Sequence, residues 1–243
     1  MPEQLWITAL LNHWFAGPAN AVLGFIGIHA KYPDAPIDNA FAMEVLVFAL
    51  LVGFFCLVRA SLSVDRPGAL QHTVEWLEGA IDTQSHGMIG HGSEAFTPFL
   101  VSLGLFILLC NLIGLVPGFE SPTASPVVTL GCAIVAWFYY QIHAVRHHGF
   151  AYVKHFVGPV WWLAPLMIPI EIISHLARMM SLTIRLFANM FAGDMVTLVF
   201  FSLIPIGFPV LFLGMHIGVS LLQTYIFVLL TTIYLAGAVA EAH

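Results

Sequence analysis

SLTIRLFANMFAGDMVTLVFF, residues 181–201, is apolar and helix-compatible along most of its length, yet it contains Arg185 and Asp194. Twenty-one residues of helix are enough to cross a hydrocarbon core of about 30 Å. An ionised group at the centre of such a core costs roughly 2.5 to 3.5 kcal/mol on insertion scales, so groups kept there pair, line water or serve transport. The fold follows from which neighbours share this character.

The stretch is part of a longer apolar arm from Ile170 to Ile204, which turns through PIGFP and runs apolar again to about Ala240. Each arm has about 35 residues, so a continuous helix would be roughly 50 Å long and could not stand upright in a bilayer. The arms are expected to be strongly tilted or broken, with Gly193 or Gly214 able to supply a break. Upstream, three segments have ordinary span length: Ala40 to Ser61, Phe96 to Val116 and Pro126 to Val145. The fold class is therefore all-α and polytopic in the membrane, three ordinary transmembrane helices followed by a hairpin of two long tilted ones. Three regions result: 1–39, an N-terminal segment; 40–158, three spans with a loop at 62–95 that holds a surface helix; and 159–243, the hairpin. The prolines in KHFVGPVWWLAPLMIP mark the break before the last region.

Composition agrees. Of the 243 residues 60% are hydrophobic and 8% charged, against about 25% charged in a soluble domain. Thirteen acids and seven bases give a formal net charge of -6, thinly spread, which suggests neither nucleic-acid binding nor a polybasic lipid anchor. Cys56, Cys110 and Cys132 all fall in apolar segments and read as small buried hydrophobes. The N-terminus has an acid and no Lys or Arg before its short apolar stretch, so it is expected to be retained and not cleaved as a signal. Arg59 and Arg66 follow the first span, and Arg146 and Lys154 follow the third. The positive-inside rule places both groups in the cytoplasm, with the N-terminus outside and the C-terminus inside; only Lys31 dissents.

Glu171, Ser174, Arg178, Ser181, Arg185 and Asn189 recur at steps of three or four and so form one polar stripe on a helix. Asp194, nine residues past Arg185, faces the other way. The second arm offers His216, Ser220, Gln223 and Thr224. In an antiparallel hairpin, residues at equal height have a constant numerical sum. Asp194 with His216 and Arg185 with Gln223 fit one hairpin centred near residue 205. Plainer readings stand beside these: Arg185 snorkelling or pinning a helix pair, Asp194 and His216 as a buried hydrogen-bonded pair, Glu171 and Arg178 as interfacial anchors, and Ser174, Ser181 and Thr224 bonding their own backbone. His143, His147 and His148 hint at metal, but no Cys or carboxylate completes a set, and a basic edge is expected at a helix end. His86 and His91 are a weaker hint, and no phosphate loop or nucleophile elbow is present, so no cofactor or metal is expected.

SLTIRLFANMFAGD, preceded by PIEIISHLAR and followed by LLQTYIFVLLTTIYL, together with NLIGLVPGFESPTAS at Asn111 to Ser125, resembles the subunit a family of F-type ATP synthases. The similarity covers roughly residues 40 to 240. It implies that Arg185 is the essential cation facing the carboxylates of a rotating proteolipid ring. It also implies that Glu171, Asn189, Asp194, His216 and Gln223 occupy half-channel and interface positions, with Ser174 and His175 beside Glu171 on the proton path. Asp194 stands where many members carry Glu, and Ala188 where many carry Gly. The implied partners are the ring of subunit c, peripheral-stalk subunit b, the rest of the complex, the lipid bilayer and the transported proton, with sodium less favoured. The chain would bind no nucleotide itself and would sit in a bacterial inner membrane. A secondary proton-coupled transporter also keeps intramembrane Arg, Asp and His, but its expected internal repeats are not visible here. A purely structural subunit leaves the polar stripe without a reason.

Overall fold

A computed structural model describes residues 4–25, 27, 32–63, 67–90, 92–116, 118–149, 164–203 and 208–239. The PIGFP turn, apart from its last residues, and most of the proline-marked break lie outside these residues, as do Lys31, Arg66, His91 and Lys154. The described chain is helical: α1 (Trp6–Phe25), α2 (Asn39–Ser61), α3 (Ala69–Ile89), α4 (Thr97–Ile113), α5 (Pro126–His148), α6 (Ala164–Leu203) and α7 (Phe208–Val239). Four of them, α2, α5, α6 and α7, are long and apolar enough to cross a membrane.

Local chemistry sets the ends. Asp38 caps α2, its carboxylate accepting from the Phe41 N–H at 2.9 Å, and satisfies a donor that the first turn leaves open. Pro98 and Pro126 stand in the first turns of α4 and α5, where a missing N–H costs nothing. Gly90 stops α3 with φ of 83°, a conformation that favours glycine.

Several expectations change. α1 is a helix in a region left without one; its exposed Trp6, Leu10 and Trp14 recur every fourth residue, and Pro18 lies inside it. α4 has 17 residues and falls short of an ordinary span, because Gly114 turns the chain towards Ser121. α3 continues past the expected surface helix to Ile89, since Ile81 and Ile89 pack on a cluster formed by Phe96, Leu100, Tyr140, Val228 and Leu235. Helix α6 begins at Ala164 and carries Pro169 near its start. Neither Gly193 nor Gly214 breaks its helix: packing overrides the weak helix propensity of an isolated glycine. Cys110 and Cys132 are buried, but Cys56 is exposed, on the opposite side of α2 from the buried Met43, Val47 and Leu51.

The core lies between α4, α5, α6 and α7. Ile107, Ala133, Ala136, Leu186, Met190 and Phe227 are almost completely enclosed there. α7 is the more central element and α6 the more peripheral: in an apolar 18-residue stretch of each, 44% of residues are buried inside the molecule for α7 and 11% for α6. Ile172, Ile173, Leu176, Met180, Ile184 and Phe191 leave a long face of α6 without cover from its own chain.

Candidate functional site

The polar residues of α6 and α7 meet along one antiparallel contact. The Arg178 guanidinium lies over the Tyr234 ring at 5.4 Å, Asn189 donates to Gln223 Oε1 at 2.8 Å, Asp194 Oδ1 stands 3.8 Å from His216 Nδ1, and Phe200 stacks on Phe212. These pairs mirror one another about the same point in the sequence, near residue 205. Gln223 is therefore bonded to Asn189, one turn beyond Arg185, and not to Arg185 itself. The equal-height sum erred by about one turn: Asn189 with Gln223, Arg178 with Tyr234 and Phe200 with Phe212 share one sum, and Arg185 with Gln223 falls four short of it.

Three groups of side chains are spaced along α6. The first holds Glu171, whose Oε1 is 3.4 Å from His175 Nε2, and the Tyr140 hydroxyl of α5, 3.2 Å from His175 Nδ1. His175 and Tyr140 are buried, while Glu171 and the neighbouring Ser174 are half-buried. One imidazole thus bridges a carboxylate and a phenol, an arrangement that can pass a proton in either direction according to tautomer.

The second group is Arg185 with Ser181, on which a guanidinium nitrogen donates at 3.1 Å. Among the described residues no carboxylate comes within ion-pair distance of Arg185. The side chain is half-buried beside the uncovered Ile184 and Ala188. An arginine stays ionised at physiological pH, so an unpaired guanidinium on an uncovered membrane-helix face presents a fixed positive charge.

Asp194 and His216 form the third group. His216 is 4% exposed, and its Nε2 is buried with no hydrogen-bond partner among the described residues. Gly193 makes the approach possible, because a Cβ there would come within 2.8 Å of His216 Nδ1. Glu120, in the link before α5, accepts from Asn39 Nδ2 at 3.3 Å. At 1.5 Å per residue Glu171 and Asp194 are about 35 Å apart along α6, with Arg185 between them.

A fourth polar set was not foreseen as chemistry, although its residues fall in the Asn111 to Ser125 motif. Thr123 Oγ1 donates to Asn111 Oδ1 at 2.7 Å, Ser121 Oγ donates to the Cys110 carbonyl at 3.0 Å, and Asn111 Nδ2 reaches Thr224 Oγ1 at 3.4 Å. All are buried. This latch fastens the link to α4 and α4 to the polar face of α7. The sequence signal was the density of Ser and Thr in a turn next to an Asn inside an apolar helix. The histidines behave otherwise: His143 is taken up by packing on Phe96 and Tyr139, its Nδ1 on the Tyr139 carbonyl, and no group of three or more metal-binding side chains occurs among the described residues.

The sequence profile of the family described as ATP synthase A chain matches residues 41–236. The chain belongs to the ATP synthase A chain family. ATP synthase subunit a of Koribacter versatilis (strain Ellin345) is 59% identical over 100% of both chains. ATP synthase subunit a of Solibacter usitatus (strain Ellin6076) is 50% identical over 96% of this chain and 100% of its own. That of Geobacter sulfurreducens is 39% identical over 86% and 91%. As a member of the A chain family the chain is an integral membrane protein, and the family profile begins two residues into α2 and so leaves α1 outside the match.

Proposed function

We propose that this chain is the proton-translocating stator subunit of a rotary ATP synthase, coupling proton motive force to rotation of a proteolipid ring. The observation that carries the reading is Arg185: a fixed cation without a carboxylate of its own, on an uncovered face of α6, between two carboxylate–histidine pairs. A ring carboxylate cannot enter lipid charged and is protonated there; opposite Arg185 it is favoured ionised and gives up its proton. Asp194 and His216 serve an outer half-path, and Glu171, Ser174 and His175 an inner one. Asn189 and Gln223 hold the two helices together next to Arg185. Because Arg185 separates the half-paths, protons cross only when the ring turns.

On this reading three spans, with α4 the short one, precede the α6–α7 pair. α6 at 40 residues is about 60 Å long, twice the hydrocarbon thickness, so it lies strongly tilted and sweeps along the ring. Region 1–39 is outside, 40–158 holds the spans, 159–243 forms the ion path, and the C-terminus is cytoplasmic in a bacterial inner membrane. Subunit c covers α6, subunit b and the remaining subunits complete the assembly, and the chain itself binds no nucleotide. His216 favours protons over sodium. The test is copurification with a proteolipid ring and ATP-hydrolysing subunits, combined with ATP synthesis by Arg185→Ala vesicles; a secondary transporter purifies without either partner and moves its solute in their absence.

A further inference from the structure

Tyr140 is the member of the inner group that comes from another helix, and the half-paths above give it no part. It is 2% exposed, on α5, with Trp137 at its edge and Tyr234 of α7 beside it at 6.1 Å between ring centroids. Its ring lies within 24° of the plane of His175, and its hydroxyl is 3.2 Å from His175 Nδ1. A phenylalanine would fill the same space and keep the same ring contacts. What packing leaves over is the hydroxyl. A buried phenol needs a partner, and here the partner is a ring whose other nitrogen meets Glu171.

The chemistry of the three groups fixes where the protons sit. An ionised carboxylate only accepts, and a neutral imidazole has one N–H and one bare nitrogen. Glu171 Oε1 stands 3.4 Å from Nε2, so the proton belongs on Nε2 and Nδ1 is bare. A bare Nδ1 takes a donor, and the Tyr140 O–H at 3.2 Å is one. With that hydroxyl removed, the tautomer carrying its proton on Nδ1 gains, and Nε2 then turns a lone pair towards a carboxylate that repels it. The other groups nearby leave the arrangement alone. The Arg178 guanidinium lies over the Tyr234 ring at 5.4 Å, His143 on α5 bonds the Tyr139 carbonyl, and among the described residues Glu171 has no other ion-pair or hydrogen-bond partner.

We propose that Tyr140 is a positioning residue of the inner half-path: its hydroxyl holds His175 in the tautomer that presents Nε2–H to Glu171. This rests on the stator reading above and adds to it a residue from α5. A proton reaching Glu171 leaves for inner water, the carboxylic acid and a water molecule giving carboxylate and hydronium, and the Nε2–H stabilises the carboxylate that remains. When the imidazole itself takes the proton, both nitrogens donate and the phenol turns to accept from Nδ1, so one hydroxyl serves both states.

The test uses the whole complex, in liposomes for ATP synthesis and with isotope-labelled histidine for magnetic resonance, the His175 signals being those lost in His175→Gln. Neutral His175 in the wild type is expected to carry its proton on Nε2 alone, and Tyr140→Phe to show a mixture of the two tautomers. Synthesis in Tyr140→Phe is expected to fall about twofold to tenfold, the worth of one hydrogen bond, with the assembled amount unchanged. His175→Gln is impaired by itself, and adding Tyr140→Phe to it should lower synthesis no further, because the hydroxyl acts through the imidazole. Neutral His175 with its proton on Nδ1 in the wild type, wild-type synthesis or an unchanged single tautomer in Tyr140→Phe, or an equal further loss in the double variant overturns the proposal; should Tyr140→Phe fail to assemble, the wild-type tautomer decides alone. Arg185→Ala is run in parallel. If it loses synthesis while Tyr140→Phe keeps wild-type rates, only this inference fails; if it keeps synthesis, the stator reading fails first.

Discussion

Arg185 is held by so little of its own chain that its charge, not its packing, is the term a substitution removes. Arg185→Ala is expected to insert and assemble normally while coupled ATP synthesis in membrane vesicles falls to background; undiminished synthesis in a normally assembled complex would contradict the assignment. Arg185→Lys should also be severely impaired, since a compact ammonium neither spans the same distance nor forks its donors. Gly193 is the opposite case, a residue whose lack of a side chain matters. Gly193→Ala sets a methyl 2.8 Å from His216 Nδ1 and forces the imidazole away from Asp194. Overpacking of this kind costs about 1 to 3 kcal/mol. Passive proton conductance through the stripped membrane sector should fall several-fold in Gly193→Ala while the assembled amount changes little. The sequence made Arg185, Asp194 and His216 conspicuous because charge stands out in an apolar run. It could not single out Gly193 by contact, since that role exists only once two helices cross.

At the scale of elements, the decisive join is the Asn111, Ser121 and Thr123 latch between the link, α4 and α7. Removing one partner from a buried hydrogen-bonded set costs about 1 to 3 kcal/mol because the others keep their desolvation penalty. Asn111→Leu strands Thr123 and leaves Thr224 with its own backbone, and should lower the thermal denaturation midpoint of the detergent-solubilised complex, whereas Phe48→Leu, at an exposed position, should not; equal midpoints for the two would mean the latch adds no stability. The long apolar runs and the antiparallel partnership of α6 and α7 were legible, because hydropathy and spacing encode length and face directly. The extent of α4 was not. Its end depends on Gly114 packing closely on Ser121, a contact that no apolar count reports. Asn189 as the partner of Gln223 was missed because the pairs chosen from sequence set the hairpin centre one to two residues too early, which shifts the level partner by up to a full turn.

Taken whole, the molecule has a well-buried helix, α7, backing a poorly covered one, α6, with proton-competent groups at both ends of the latter. Single cysteines at 194 and 216, in a background without the three native thiols, should be labelled by silver from outside, and a cysteine at 171 from inside. Labelling of 194 and 216 from opposite faces would break the two-path arrangement, and silence at both would favour a dry structural pair. The unbroken course of α6 has one more consequence, which concerns tolerance to insertion. A single added residue between Arg185 and Asp194 turns everything beyond it by about 100° and advances it by 1.5 Å. Asp194 would then swing out of reach of His216 while Arg185 kept its place, so this helix can accept changes of side chain far more readily than changes of length. Seven added residues nearly restore the phase but displace Asp194 by roughly 10 Å. The spacing between Arg185 and Asp194 is thus a dimension fixed by helical phase, and added length is expected to be tolerated only outside the rod.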